Sequence, residues 1–263
     1  MLIIQDSRVG IDENGFFCNE ILDNPIAKTH PEFFGLAYDV NSFMYSLYES
    51  FEANNTDIIA CYNIGTYSKI HKLYQSSVLL CSIGLEESAK VCIRSMLDKL
   101  FVMQAISNDN EYYNKWIDCQ RKEANKLVNA INREEKGLEH LKGIAPASPI
   151  YPKAKGISHY DWSVLAGMEK DYNLVYRLFS GNVHSSFSAF EDDFVIEEEQ
   201  YVALDIGPQI MAIRHILITT IGYALQTLRI NMEYFGISSC AYDNLVSCFE
   251  KLQNGLLNEL EKE

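Results

Sequence analysis

The stretch HPEFFGLAYDVNSFMYSLYESFEA, residues 30–53, decides the fold class. Its apolar side chains recur at steps of three and four residues, which places them on one face of an α-helix. Pro31 suits a first helical turn, where its missing N–H costs no hydrogen bond. A helix over about 31–53 is therefore predicted. The apolar positions are Phe33, Phe34, Ala37, Val40, Phe43, Met44, Leu47 and Phe51.

The same helical rhythm continues through the rest of the chain, and Gly84 interrupts it. A strand-like alternation is visible in QYVALDI, residues 200–206, and we find no internal repeat. The sequence therefore predicts an all-α fold, a bundle of about six or seven helices. The later helices are expected over about 63–82, 85–106, 110–136, 162–191, 207–235 and 241–261.

Turn signals and prolines predict the domain organisation. The segments DENG and DNP favour an N-terminal arm over residues 1–28, followed by a single all-α domain over 29–263. Three of the six prolines lie in GIAPASPIYPKAKGI, which predicts a mobile loop at 143–159. Loops of this length inside compact domains are often functional.

The formal charge of −14 repels phosphate backbones, which argues against a general nucleic-acid coat protein. Residues 115–155 nevertheless carry nine Lys and Arg against five acidic residues. A solvated helix surface explains this segment, and a local basic binding surface is the alternative. The acidic residues concentrate elsewhere, notably in EDDFVIEEE, residues 191–199.

The seven cysteines are odd in number and show no zinc-ligand spacing, which is typical of reduced thiols in a cytoplasmic protein. We expect no metal and no cofactor. His71, His140, His159 and His215 have no partners at ligand spacing, so structural roles are predicted for them. The most apolar stretch, residues 210–228, contains Arg214 and His215, which predicts a buried helix and no membrane partner.

The segment YRLFSGNVHSSF, residues 176–187, places Arg177 and His184 almost two helical turns apart. Ser180 and Gly181 lie between them, so a continuous helix would leave a shallow gap beside both side chains. The rest of the helix presents an apolar seam to the core. The seam consists of Tyr172, Tyr176, Phe179, Val183, Phe187, Phe190 and Phe194.

Arg177 and His184 suit metal-independent RNA cleavage. An imidazole can exchange protons with the 2′-hydroxyl or the leaving 5′-oxygen, and a guanidinium can bind the pentavalent phosphate. The alternative is structural: Arg177 would pair with Glu169 or Asp171, and His184 would be an ordinary helix histidine. The spacing leaves both interpretations open.

YRLFSGNVHSSFSAF resembles the signature of a bacterial family catalogued as domain-of-unknown-function family 5677. GLEESAKVCIRSMLDKLFVMQAI, residues 84–106, resembles the second hallmark of that family, with Glu87, Arg94 and Asp98 on one side of a helix. The likeness covers about residues 60–235. It implies that Glu87 and Arg94 support the Arg177 and His184 site, whereas ion pairing along the helix is the alternative.

The pattern of an arginine followed by a histidine on a late helix of an all-α domain resembles that of the HEPN superfamily (higher eukaryotes and prokaryotes nucleotide-binding). That resemblance implies a ribonuclease of toxin–antitoxin, abortive-infection or CRISPR systems, acting as a homodimer with a composite cleft. Leu178 occupies a position that is often polar in active members, and Phe187 replaces an aromatic hydroxyl. Ser180 and Asn182 are the candidates for the missing polar group.

Three functions are therefore expected as candidates. The first is a HEPN-like metal-independent endoribonuclease that acts on RNA as a toxin or phage-defence effector. The second is a non-catalytic helical module that binds a partner protein or nucleotide in a bacterial defence system. The third is a regulator of an antitoxin or other defence-system protein, whose acidic strip at 191–199 would mimic nucleic acid or bind a basic partner.

Overall fold

The computed structural model describes residues 25–52, 56–133, 155–183, 194–197, 200–204 and 210–261. Within these ranges the fold is a helical bundle, so the predicted all-α class is confirmed. The helices are α1 Pro25–Thr29, α2 Pro31–Leu47, α3 Ile58–Ser82, α4 Glu86–Asn108, α5 Tyr112–Arg133, α6 His159–Leu165, α7 Glu169–Asp171, α8 Arg177–Val183, α9 Ile213–Phe235 and α10 Cys240–Leu260. A 3₁₀ turn, Tyr48–Ser50, follows α2, and a π-helical turn, Tyr172–Tyr176, joins α7 to α8.

The chain divides into two compact units, drawn from residues 1–100 with 170–263, and from 101–169. In the first unit, α9 packs against α2, α3 and α10. The hydroxyls of Ser77, near the end of α3, and Thr220, in the first half of α9, are hydrogen-bonded at 3.0 Å. Tyr234, at the end of α9, donates to Asp57, just before α3, at 3.4 Å, so the two helices run antiparallel. The fully buried side chains include Phe34, Met44, Tyr67, Ile70, Tyr74, Ile93, Met96 and Leu97.

Two predicted helix boundaries were wrong for local reasons. The second helix begins at Ile58 rather than near residue 63, because the Asp57 carboxylate accepts the Ala60 N–H at 2.9 Å and caps it. The first helix ends at Leu47 rather than near residue 53. Phe51 continues the apolar rhythm but is extended, and its ring packs 5.1 Å from that of Tyr67.

Two glycines mark breaks in the helical pattern. Gly84 lies between α3 and α4 with φ at 77°, which confirms the predicted interruption there. Gly167 has φ at 71°, a conformation that strains residues with a Cβ. The predicted continuous helix over 162–191 was therefore wrong, because α6 ends at Leu165 and a separate helical segment begins at Glu169.

A small antiparallel hairpin is added to the bundle. Strand β1, Phe194–Glu197, pairs with β2, Gln200–Leu204, in the region of the QYVALDI alternation. Phe194 belongs to this strand, so its place at the end of the predicted helical seam was wrong. The seam positions Phe187 and Phe190 lie outside the described residues.

The predicted arm and loop fall largely outside the described residues. Helix α1 begins at Pro25, and residues 1–24 are not described. Of the loop predicted at 143–159, residues 155–158 are irregular and lead into α6. Ser158 begins that helix with a capping box, in which its hydroxyl accepts the Asp161 N–H and the Asp161 carboxylate accepts the Ser158 N–H.

Helix α9 begins at Ile213, later than the predicted start near residue 207, and contains most of the apolar stretch at 210–228. Arg214 on this helix pairs with Glu259 of α10 at 2.8 Å. In the described ranges, no helix combines the length and the hydropathy that crossing a bilayer requires.

His71 belongs to a buried polar network between α2 and α3. Its Nε2 lies 2.9 Å from Asn41 Oδ1, and its Nδ1 lies 3.3 Å from the Tyr48 hydroxyl. Gln75 also donates to Asn41, at 3.0 Å. Burial, with a smaller effect of Lys72, lowers the pKa of His71 to about 3. The predicted structural role fits this neutral, buried imidazole.

The His71 network predicts an acid-dependent loss of stability. The unfolded chain takes up the His71 proton near pH 6.5, whereas the folded chain resists it until about pH 3. This stabilisation is therefore complete above pH 6.5 and declines as the pH falls, by up to about 1.4 kcal/mol per pH unit. Urea unfolding from pH 7 to pH 4 should show a shallower decline for His71→Gln. Identical slopes would mean that His71 titrates normally in the folded protein.

Candidate functional site

Arg177 lies where the π-helical turn passes into α8, and its side chain is exposed. Its guanidinium carbon is 5.8 Å from the Tyr172 ring centroid. The two carboxylates that the structural alternative assigned to it have other partners, since Asp171 accepts from Tyr223 at 2.9 Å and Glu169 accepts from Tyr160 at 2.8 Å. Among the described residues, Arg177 forms no ion pair.

Two of the predicted site residues are described incompletely. His184 lies outside the described residues, which on this helix end at Val183. Asn182 belongs to α8, but its side chain also lies outside the description. The geometry available for the site is therefore that of Arg177, Ser180 and their neighbours.

Arg94 of α4 connects that helix to the segment that carries Arg177. Its Nη2 donates to the Tyr176 hydroxyl at 2.9 Å, and its Nε donates to Ser180 Oγ at 3.1 Å. The Ser180 hydroxyl in turn donates to the Tyr176 carbonyl oxygen at 2.6 Å. Arg94 and Ser180, both predicted as supporting residues, are thus brought together at Tyr176, the residue before Arg177.

Tyr176 links the Arg94 guanidinium to the Asp98 carboxylate. Burial raises the pKa of the Tyr176 phenol to about 12, and the charge of Asp98 and a hydrogen bond to it act in the same direction, against a smaller opposing effect of Arg94. The phenol therefore stays protonated near neutral pH. It accepts from Arg94 and donates to Asp98, so its orientation is fixed from both sides.

Two tyrosine rings stack within the π-helical turn, and each has an arginine against it. The Tyr172 and Tyr176 centroids are 4.8 Å apart with an interplanar angle of 17°. Arg94 lies 4.9 Å from the Tyr176 centroid, and Arg177 lies over Tyr172. Guanidinium groups stack favourably on aromatic faces. The turn therefore holds both arginines against one aromatic support, which we call the tyrosine stack.

Glu87 lies apart from this arrangement. Its carboxylate pairs with Lys90 on the same helix, as the ion-pairing alternative proposed. Among the described residues, it makes no hydrogen bond to Arg94, Tyr176 or Ser180. The structure thus connects Arg94 with Ser180 but does not connect Glu87 with either.

Two exposed leucines flank Arg177. Leu174 is 69% exposed and Leu178 is 71% exposed, and their spacing of four residues places them on one side of the helix. Exposed apolar side chains beside a charged group often mark a protein interface. Leu178 also occupies the position at which the sequence departs from the polar pattern of the resembled superfamily.

The neighbour of Glu87, Glu86, has a structural role that the sequence did not indicate. Its side chain is buried and accepts the Ala212 N–H at 2.8 Å. Burial is the main cause that raises the pKa of this carboxyl, and its hydrogen bonds to the Ala212 and Ile213 N–H groups act against it. Glu86 thus caps the beginning of α9.

Substitution of Glu86 should separate its acceptor role from its charge. Glu86→Ala leaves the Ala212 N–H without its acceptor, which should cost about 1–3 kcal/mol. Glu86→Gln keeps an oxygen acceptor and should cost less. Because the pKa of Glu86 is raised in the folded state, the wild-type protein loses stability as the pH rises through that pKa. The difference in unfolding free energy between Glu86→Gln and the wild type should therefore be smallest above that pKa. Equal losses in chemical denaturation for both variants would contradict this role.

Cation-binding side chains are not clustered in the described part of the chain, where no group of three His, Cys, Asp or Glu could hold a metal ion. The polar groups brought together around Tyr176, which directly precedes Arg177, are instead guanidinium, phenol and hydroxyl groups. Such groups bind anions, and phosphate in particular, through charge-assisted hydrogen bonds.

A protein-family model described as a family of unknown function, DUF5677, matches residues 61–201, which is more than half of the chain. The matched region contains Arg94, the tyrosine stack, Arg177 and His184. No curated protein and no solved structure shows significant similarity to the chain.

Proposed function

Since the chain belongs to the family of unknown function DUF5677, its own residues must indicate its activity, and we propose that it is a HEPN-like metal-independent endoribonuclease. The observation that carries the proposal is the exposed Arg177, which has no ion-pair partner among the described residues and rests against the tyrosine stack. An arginine held by rings rather than by a carboxylate keeps its charge available for a phosphate.

In the proposed reaction, the RNA 2′-oxygen attacks the adjacent phosphorus while His184 accepts the 2′-hydroxyl proton. The bond from phosphorus to the 5′-oxygen breaks, and that oxygen leaves as it takes up a proton from water. The products carry a 2′,3′-cyclic phosphate and a 5′-hydroxyl. Arg177 binds the additional negative charge of the pentavalent phosphate, and its pre-set orientation lowers the cost of doing so.

Arg94 is assigned a positioning role in this site. Its hydrogen bonds to Tyr176 and Ser180 join α4 to the π-helical turn, and short π-helical segments are frequent at functional sites. Ser180 already interacts with Arg94 and with the Tyr176 carbonyl oxygen, so we assign it to support of the turn. Asn182 remains the candidate for a polar contact with the RNA.

The proposed enzyme is a homodimer in which two Arg177 and His184 pairs face one cleft. Leu174 and Leu178 would be buried in that interface, next to the arginine that the cleft requires. Leu178→Glu should shift the protein from dimer to monomer in light scattering and reduce cleavage with it. Leu257→Glu places the same charge at a similarly exposed leucine of α10 and should change neither. A wild-type monomer at micromolar concentration would contradict the dimer.

A direct test uses purified protein, total RNA and excess EDTA. The wild-type protein should fragment the RNA, and Arg177→Ala should not. Arg229→Ala is the matched control, because it removes another exposed arginine, one that pairs with Glu233 on α9. Cleavage that EDTA abolishes, or that survives in Arg177→Ala, would refute the assignment.

The second candidate is a non-catalytic module that binds a partner protein, such as an antitoxin or another defence-system component. The exposed Leu174 and Leu178 favour it equally, because they suit a different protein as well as a second copy. Absence of RNA cleavage together with loss of partner binding in Leu178→Glu would support this candidate. With either function, we propose a cytoplasmic defence role.

A further inference from the structure

Helix α5 carries an aromatic cluster that the proposed reaction does not use. Tyr112, Tyr113 and Trp116 lie in its first two turns, and all three side chains are half-exposed. The Tyr113 and Trp116 centroids are 5.6 Å apart, and Lys115 Nζ lies 4.4 Å from the Tyr112 centroid. We call these three rings the α5 aromatic cluster.

A row of lysines runs beside the α5 aromatic cluster. Lys115, Lys122 and Lys126 are separated by seven and four residues, so they lie on one side of the helix over about 16 Å. Gly156 packs against this row, because a Cβ built there would lie 2.8 Å from the Lys122 Cδ. That contact brings the exposed Lys155 next to Lys122. The Lys115 ammonium contacts the Tyr112 ring, and the other lysines extend the positive charge along the helix away from the rings.

The charge of α5 is opposite to that of the whole chain. The helix contains five Lys and Arg against two acidic residues, in a protein of net charge −14. Its ion pairs, Arg121 with Asp118 and Lys126 with Glu123, are exposed. Such pairs are individually weak, about 0–1 kcal/mol, so a phosphate can replace the carboxylate. Lys115 and Lys122 form no ion pair among the described residues.

We propose that this surface of α5 binds single-stranded nucleic acid. Unpaired bases stack on half-exposed aromatic side chains, and a strand's phosphates bind a neighbouring row of lysines. A duplex offers phosphates but keeps its base faces covered, and an acidic peptide has no series of planar groups for the rings. That the natural ligand is the RNA of the proposed reaction rests on the proposed function; binding of a single strand does not.

The test measures fluorescence anisotropy of a labelled twelve-nucleotide oligo(U), with Arg177→Ala as the parent protein so that the RNA stays intact. Trp116→Ala should weaken binding about tenfold or more, and Trp116→Phe should restore most of it. Lys115→Ala combined with Lys122→Ala should lower the slope of log affinity against log salt by about 1.4. The double variant of Lys72 and Lys251, exposed lysines on α3 and α10, should leave that slope unchanged.

Tryptophan fluorescence gives a second readout, since the chain has two tryptophans and Trp162 is buried. Oligo(U) should quench the emission of Trp162→Phe as it does the parent, and should fail to quench Trp116→Phe. A hairpin duplex of equal length should bind more weakly than oligo(U). Binding of oligo(dT), measured in parallel, shows whether affinity depends on the ribose 2′-hydroxyl. Equal oligo(U) affinity in the parent, Trp116→Ala and the lysine double variant would overturn the proposal.

The outcomes also separate this inference from the proposed function. If oligo(U) binding depends on Trp116 but the protein that retains Arg177 does not cleave RNA, the ribonuclease proposal is refuted and the binding surface on α5 is supported. If the wild-type protein cleaves RNA but the α5 substitutions leave binding unchanged, the ribonuclease proposal is supported and the binding surface on α5 is refuted.

Discussion

Alanine at Arg177 or His184 should reduce RNA cleavage by about 10²–10⁴-fold, while the melting temperature stays within error. The loss at His184 follows from removal of general acid–base catalysis, and the loss at Arg177 follows from removal of the charge that binds the pentavalent phosphate. Arg177 is exposed and makes no ion pair among the described residues, so its truncation should change the free energy of unfolding by no more than about 0.5 kcal/mol.

Each catalytic substitution has a control of the same residue type. Arg229→Ala serves for the arginine, and His159→Ala, which removes an exposed histidine elsewhere in the chain, serves for His184. Single-turnover cleavage rates and thermal melts would be measured on the same samples. A His184→Ala protein that melts several degrees lower and still cleaves RNA would make His184 a structural residue.

Of the substitutions proposed here, Phe179→Ala should lower the free energy of unfolding most, by about 3–5 kcal/mol. Phe179 lies two residues after Arg177 on α8, and the residue is only 7% exposed. Truncation leaves a cavity in the core of the helical bundle. Because folded domains are stable by about 5–15 kcal/mol, this single change would remove a large part of the total.

The Phe179 prediction separates folding from catalysis. Phe179→Ala should lose cleavage in proportion to its unfolded fraction, and activity should return on cooling below its transition. Phe179→Leu keeps most of the volume and should stay folded and active. Leu257→Ala, at a leucine that is 52% exposed, should cost little. Urea denaturation that gives equal losses for Phe179→Ala and Leu257→Ala would place Phe179 outside the core.

Hydrophobic periodicity sufficed to predict the helices and much of their buried surface. The steps of three and four residues in 30–53 led to an all-α fold, and Phe34, Val40, Met44 and Leu47 of that stretch are indeed buried. Periodicity failed where burial does not require a helix. Phe51 is buried in extended backbone, because the rings of Tyr67 and Phe235 surround it.

The support around Arg177 could not be read from spacing. Arg94 and Tyr176 are 82 residues apart in sequence, and their hydrogen bond depends on how the helices pack. Tyr172 and Tyr176 were assigned to an apolar seam, and Tyr176 is indeed buried, but its hydroxyl also joins Arg94 to Asp98. The π-helical turn has no hydrophobic period of its own. The signal that could have indicated it is the pair of tyrosines four residues apart, directly before an arginine.

The most direct test of the ribonuclease proposal identifies the ends of the RNA fragments. Wild-type protein would be incubated with a defined single-stranded RNA in EDTA, and the fragments analysed by mass spectrometry. If the 2′-oxygen is the nucleophile, the fragments will carry 2′,3′-cyclic phosphates and 5′-hydroxyls, and none will form with Arg177→Ala. Fragments with 5′-phosphates and 3′-hydroxyls, or intact RNA at every protein concentration, would contradict the proposal.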